Sequence, residues 1–428
     1  MEICSWKVPD SLSRRTGIWR GNAWENYSHL TTILIPMIER FSEYRAALFL
    51  FVLLFLIFPV RYSAAQSAVR SDTTRVRGIV VDAETGDPIM GVHIFYAGTT
   101  IGDASDADGS FSLPLPPTQQ ISLVASMIGF KLIEEDLDLR IYRGAPYLFK
   151  LKSITFDLEG IAVLGDSDHA WRTNLRRFKD IIFGDTEFGD KCEIENPENL
   201  DFTFQLIQDN LFATSSGPVI VNNDALGYTI ELHGFELTGR EQNFTWKGQP
   251  VFVEMEGTDK QRRVWSKNRQ RAYNGSQKHF ITSLYAGTLK KEGFGAYHVA
   301  EVGFSSTANP IAELRGDDYD REKFTPVMSG NVTDPTRQME FIGTLLVIYN
   351  KEDEPDDYIE YANRLRSTNA RAILNQSSWM ELPFTSVTTD KNGNVLNDSV
   401  SDPVKVFGYW AWERVGEWLP SDYSPILD

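Results

Sequence analysis

Between Arg75 and Lys152 apolar and polar residues alternate in short runs, each closed by glycine, aspartate or proline. Val76 to Val81 is a β-branched run, and the turn residues from Asp82 to Pro88 follow, with Gly86 where a positive φ costs little. Gly91 to Ala97 alternates again, and Gly98 to Gly102 turns the chain back. Asp106-Ala-Asp-Gly109 predicts a tight hairpin turn into a strand from Ser110 to Leu113. Gln120 to Ala125 and Tyr147 to Leu151 complete the set. Short strands at this spacing predict a β-sandwich.

Downstream the periodicity changes. Trp171, Leu175, Phe178 and Ile182 fall at helical spacing between Asp168 and Phe183, with Arg172, Arg176 and Lys179 on the other side. His169 at its start reads as a capping or surface residue. From Leu200 the chain returns to strands, including Tyr228 to Leu237, where Tyr228, Ile230 and Leu232 share one face. His233 falls on the other face and is expected to be half-exposed and no ligand. Phe341 to Tyr349 predicts a central strand, and Asp390-Lys-Asn-Gly393 a hairpin turn. Tyr409 to Leu419 predicts an amphipathic helix stopped by Pro420. Asp317 to Asp320 and Glu352 to Asp357 read as solvated acidic loops.

The turns and strands of the first region resemble the carboxypeptidase regulatory-like domain, a transthyretin-like sandwich. The residues that carry the resemblance are Gly78-Ile-Val-Val-Asp82, Gly86-Asp-Pro88, Gly91-Val92, Gly102, Asp106-Ala-Asp-Gly109-Ser-Phe111 and Gly129-Phe130. The expected fold is therefore mainly β with α+β: an N-terminal transthyretin-like β-sandwich over 75–153, then a larger α+β domain over 168–428. In families that carry it, this module is a non-catalytic appendage of peptidases or the N-terminal extension of outer-membrane TonB-dependent receptors. Phe156 to Gly165 resembles the short strand that follows it in such receptors. The later region resembles a poorly characterised group of envelope proteins, through Asn222-Asn-Asp-Ala-Leu-Gly-Tyr228, Arg271-Ala-Tyr-Asn-Gly-Ser276 and Gly408-Tyr-Trp-Ala-Trp-Glu-Arg414. That resemblance implies a location and no reaction.

Residues 1–65 read as a leader and signal peptide. Ala46 to Val60 is a short apolar run after Arg40 and Arg45, and Ser63-Ala-Ala65 supplies small residues before a cleavage point. Met37 is the expected true start, since residues 1–36 make an unusually polar leader. Export follows, to the periplasm or the outer-membrane surface. The formal charge of −17 argues against nucleic acid as a partner. Two cysteines, Cys4 and Cys192, give no disulfide framework.

Candidate chemistry is sparse. The histidines show no HExxH pair, and no GxSxG or P-loop is present. Asp103, Asp106 and Asp108 raise calcium, but the spacing fits a hairpin turn better than an EF-hand loop. No metal and no cofactor is expected. The distinctive segment is basic: Arg262, Arg263, Lys267, Arg269 and Arg271 occur with no acid between Lys260 and Lys278. Two roles are open to it. One is a helix face docked on acidic parts of the same chain; the other is a site for an envelope protein, a polyanionic glycan or a lipid head group. Trp265, Tyr273, His279 and Phe280 in the same segment read as core. The expected function is non-enzymatic binding or scaffolding in the cell envelope, with membrane association through a partner or an uncleaved signal. The alternative is an envelope peptidase or glycosidase with the sandwich as its accessory.

Overall fold

The computed structural model describes residues 74–116, 118–154, 167–240, 243–299, 322–366, 375–396 and 404–425. The leader, Met37, the apolar run from Ala46 to Val60 and the Ala65 cleavage point lie outside the described residues, as do 156–165 and 317–320. Arg70 to Asp428 form one compact unit, and its fold is a β-sandwich followed by an α+β region.

The sandwich faces a three-stranded sheet against a four-stranded one. The first orders β4 (Ser110–Pro114), β1 (Arg75–Asp82) and β7 (Tyr147–Leu151), with β1 parallel to β7. The second orders β3 (Gly102–Ala104), β2 (His93–Tyr96), β5 (Gln120–Ser126) and β6 (Ile133–Asp138). Val76, Gly78 and Val80 point inward while Arg77 and Ile79 face out, as the alternation requires. Gly78 is set by close approach, since a β-carbon there would lie 2.5 Å from the Phe111 ring and from the Tyr147 carbonyl. The Asp106–Gly109 turn forms: Gly109 N–H donates to Asp106 O at 2.8 Å and Ser110 N–H to the Asp108 carboxylate at 3.0 Å.

The next layer is a six-stranded sheet under helix α1 (Ser167–Phe183). Its path is β8 (Cys192–Ile194), β11 (Val219–Asn223), β12 (Tyr228–Arg240), β10 (Asn210–Ser215) and β9 (Leu200–Gln205), with β13 (Asn243–Glu254) also on β12. Phe178 and Ile182 of α1 enter the core with Ile230, Leu232, Phe235 and Leu237. Core positions shift from even to odd numbers along β12 because its register with β13 slips between His233 and Glu236. Gly234, at φ 59°, lies in this bulge.

Helices α2 (Asp259–Tyr273), α3 (Gln277–Tyr285) and α4 (Leu289–Glu292) lead into β14 (Phe294–Val299), β15 (Glu322–Lys323), β16 (Val327–Ser329), β17 (Thr336–Glu340) and β18 (Thr344–Asp353). Helix α5 (Asp356–Arg366), β19 (Asn375–Glu381), β20 (Ser386–Asp390) and β21 (Lys405–Gly408) follow. β18 is central in a sheet ordered β15-β14-β18-β19-β21, and β16-β17-β20 form a smaller one.

Two expectations fail here. The Glu352–Asp357 run is not a solvated loop: β18 extends through Asp353, Glu354 is buried, and Glu352 accepts from Gln376 at 3.0 Å. Tyr409 to Leu419 is not one helix. A single turn, α6 (Tyr409–Trp412), stops at extended Glu413, and Val415–Glu417 is a 3-10 turn. Tertiary contacts override helix propensity at this point. A β-carbon on Gly416 would lie 2.5 Å from the Gly189 nitrogen, and the Gly416 carbonyl accepts from Asn223 at 2.9 Å.

The sandwich is docked along β13. Gly98 N–H donates to Pro250 O at 2.6 Å and Phe252 N–H to Thr99 O at 2.9 Å, with Phe95, Val124 and Val251 buried between. His233 lies in this seam at 3% exposure, so its expected half-exposure is wrong. It does face away from Ile230 and Leu232, but the sandwich covers that face.

Candidate functional site

Helix α2 opens with a capping box. Thr258 Oγ1 accepts from Gln261 N–H, and the Gln261 side chain accepts from Thr258 N–H at 2.9 Å. Its buried edge holds the 224–227 loop. Trp265 Nε1 donates to Asp224 O at 2.9 Å, Asn268 to Ala225 O at 2.8 Å, and Arg269 to Leu226 O at 2.8 Å and Gly227 O at 3.1 Å. The Arg269 guanidinium also lies 3.8 Å over the Tyr228 ring and reaches Glu254 at 2.6 Å. Arg271 meets Glu187 at 2.8 Å, which holds that carboxyl below its ordinary range.

The five basic residues thus divide. Arg269 and Arg271 fasten the helix to the rest of the chain. Arg262, Arg263 and Lys267 are exposed, with Arg262 3.4 Å from Asp259. Trp265, Tyr273, His279 and Phe280 are buried.

A cleft of about 370 Å³ lies where the sandwich, β13 and the C-terminal segment meet. Gly98 contributes from the sandwich, and Trp246, Trp410, Trp418, Glu413 and Glu417 line it elsewhere. Trp246 and Trp418 lie 4.8 Å apart between ring centres, and Trp410 is fixed by donating to Gly275 O at 2.7 Å. Lys278 is held in the wall, donating to Pro420 O at 2.9 Å and Ser421 O at 2.8 Å. Burial pushes its amine down to about 8, against the pull of Asp390 and Asp422. Burial pushes Glu417 up to about 7, offset in part by hydrogen bonds from Thr186 and the Arg414 N–H. Glu413 moves upward too, from burial and then from Glu417 and Glu352. As whole residues Glu413 and Glu417 are half-buried. Protonated acids beside indoles can donate hydrogen bonds to a polar ligand that stacks on the rings.

A second cluster lies in the seam. Glu231 Oε2 is 3.3 Å from His93 Nδ1 and 3.2 Å from His233 Nε2, and His233 Nδ1 is 2.9 Å from Ser126 Oγ. The hydrogen bonds from the two imidazoles, His233 first, hold Glu231 down at about 2. Burial moves His233 downward. These three side chains are the residues among those described that could hold a metal ion. The expectation of no metal residues rested on short motifs, which this arrangement does not use. Glu231 and His233, two apart on one strand, were legible as a pair on one face; His93 comes from the other domain.

Residues 76–163 match the CarboxypepD_reg-like domain family, which covers the sandwich. A TonB-dependent receptor of Formosa agariphila is 36% identical over 130 residues, a stretch that is 30% of this chain and 11% of that receptor.

Proposed function

We propose that this is an exported binding protein of the cell envelope, non-enzymatic, acting in the periplasm or at the outer-membrane surface. The regulatory-like domain and the likeness to a TonB-dependent receptor both point to the envelope. The observation that carries the binding role is that Gly98 of the sandwich forms part of the cleft wall beside Trp246, Trp410 and Trp418. The module therefore belongs to the site and is not a loose appendage. At about 370 Å³ the cleft is of small-ligand size. Indoles beside protonatable carboxyls suit a sugar unit, which stacks by its C–H face and exchanges hydrogen bonds through its hydroxyls. We assign the cleft to an envelope glycan fragment. The exposed Arg262, Arg263 and Lys267 supply a separate face for a polyanionic glycan or lipid head group.

Calorimetric titration of the full chain with peptidoglycan fragments tests this. Saturable binding that is lost in Trp418→Ala supports it; no binding, or binding unchanged by that substitution, rejects it.

One observation favours a second reading. Glu413 and Glu417 are two neighbouring carboxyls, both shifted upward, in one cleft, a set that could serve a glycosidase. Turnover of peptidoglycan or model glycosides, abolished by Glu413→Gln or Glu417→Gln, would replace the binding role by this one.

A further inference from the structure

We propose that His93, Glu231 and His233 bind one divalent transition-metal ion of the zinc class across the seam between the sandwich and the six-stranded sheet. Donor type is the first argument. Two imidazoles and a carboxylate form a ligand set that suits zinc and its neighbours and that magnesium and calcium disfavour.

Spacing is the second. Donors about 2.0–2.2 Å from a tetrahedral ion lie roughly 3.3–3.6 Å from one another. The two imidazole nitrogens stand 3.2 and 3.3 Å from Glu231 Oε2, and all three donor atoms lie within 4.8 Å. The gaps across which the imidazoles hydrogen-bond to Glu231 are thus also close to the edges of such a coordination polyhedron.

The supporting shell is the third. Ser126 Oγ, 2.9 Å from His233 Nδ1, turns Nε2 towards the cluster, as outer partners of metal-bound histidines do. The His93 ring leans on Phe95, with 5.0 Å between centres. Gly102 leaves that ring its place, since a β-carbon there would lie 3.1 Å from His93 Nε2.

Access is the fourth. The His233 side chain is 3% exposed, whereas those of His93 and Glu231 are 30% and 24% exposed. His93 also lines a cavity of about 370 Å³ with Thr100, Gly102 and Val251. An ion can enter from that side, and water can complete its coordination. His93 lies on β2 and its partners on β12, so the ion ties two domains far apart in sequence.

The test is zinc titration of the purified, chelator-treated full chain, with magnesium as control. One zinc per chain and a raised thermal midpoint are expected, with no response to magnesium. His93→Gln and Glu231→Gln should each weaken zinc binding at least about 100-fold and remove the thermal shift, and Ser126→Ala should weaken it about 10-fold. Cobalt(II) added to the unaltered chain should give the intense visible bands of a four-coordinate site, a readout that needs no variant to fold. Zinc binding that survives His93→Gln and Glu231→Gln, or cobalt spectra no different from the free ion, overturns the assignment.

Discussion

Trp265 lies directly over Gly227: a β-carbon on that glycine would stand 2.2 Å from the indole ring. Gly227 also holds φ 68°, a conformation that side chains resist. The ring covers the same loop whose carbonyls receive Trp265 Nε1, Asn268 and Arg269. Gly227→Ala should therefore cost about 2 kcal/mol or more. Trp265→Ala should cost about 3–5 kcal/mol. Urea unfolding midpoints measure both, and a Gly227→Ala protein as stable as the parent would refute the contact.

The basic helix should separate into two classes under mutation. Arg269→Ala strips donors from two loop carbonyls and a cation from the Tyr228 ring, a loss of about 2–3 kcal/mol. Its pair with Glu254 adds little, because that carboxylate is 63% exposed. The triple substitution of Arg262, Arg263 and Lys267 by alanine should change the unfolding free energy by less than about 0.5 kcal/mol while abolishing retention on heparin or anionic vesicles. Equal losses of stability in both proteins would remove the distinction.

The strands of the sandwich were legible where one face is apolar, as in β1, whose inward and outward residues alternate without a break. β6 was missed because only Leu137 in it is fully buried, and an edge strand of Glu and Asp carries no visible period. The α1 stripe was legible for the same reason as β1, through Phe178 and Ile182. The Tyr409–Leu419 segment misled because Trp410 and Trp418, eight apart, would share a helix face but are held by separate partners, Trp410 by Gly275 and Trp418 by Trp246. The seam was hidden altogether. Nothing local tells His233 that a second domain will bring His93 and Ser126 to its side.

Asn223 should be a stability hot spot. It is fully buried, its Oδ1 accepts from Leu226 N–H at 3.0 Å, and its Nδ2 donates to Gly416 O at 2.9 Å. It joins the turn after β11 to the 3-10 turn near the C terminus. Asn223→Ala leaves a buried donor and a buried acceptor without partners, costing about 2–4 kcal/mol. Asn223→Asp keeps the shape but sets a carboxylate against a carbonyl, so it should be no better than alanine. Recovery of full stability by the aspartate variant would show that the Gly416 bond is dispensable.

The cleft should leave its mark on the pH dependence of stability. Glu417 has a folded value of about 7 against an ordinary 4.5, so between these limits the folded state binds more protons than the unfolded one. Stability from this group is therefore complete below about 4.5, declines as pH rises through 7, and is flat above it. Lys278 behaves in the opposite sense. Its folded value of about 8 lies below the ordinary 10.5, so stability rises with pH between those limits as the buried ammonium is discharged. His279, pushed by burial down to about 4, raises stability with pH from there to 6.5 and partly masks the Glu417 decline. The difference between parent and variant cancels this masking. Glu417→Gln keeps an acceptor for the Arg414 N–H, so the difference should change by about 2–3 kcal/mol between pH 4.5 and 7 and then level off. Lys278→Met should yield a difference that varies only between about pH 8 and 10.5. Denaturant midpoints at half-unit pH steps resolve both, and a Glu417→Gln difference that stays constant across pH 4.5–7 would mean that the carboxyl is ionised throughout.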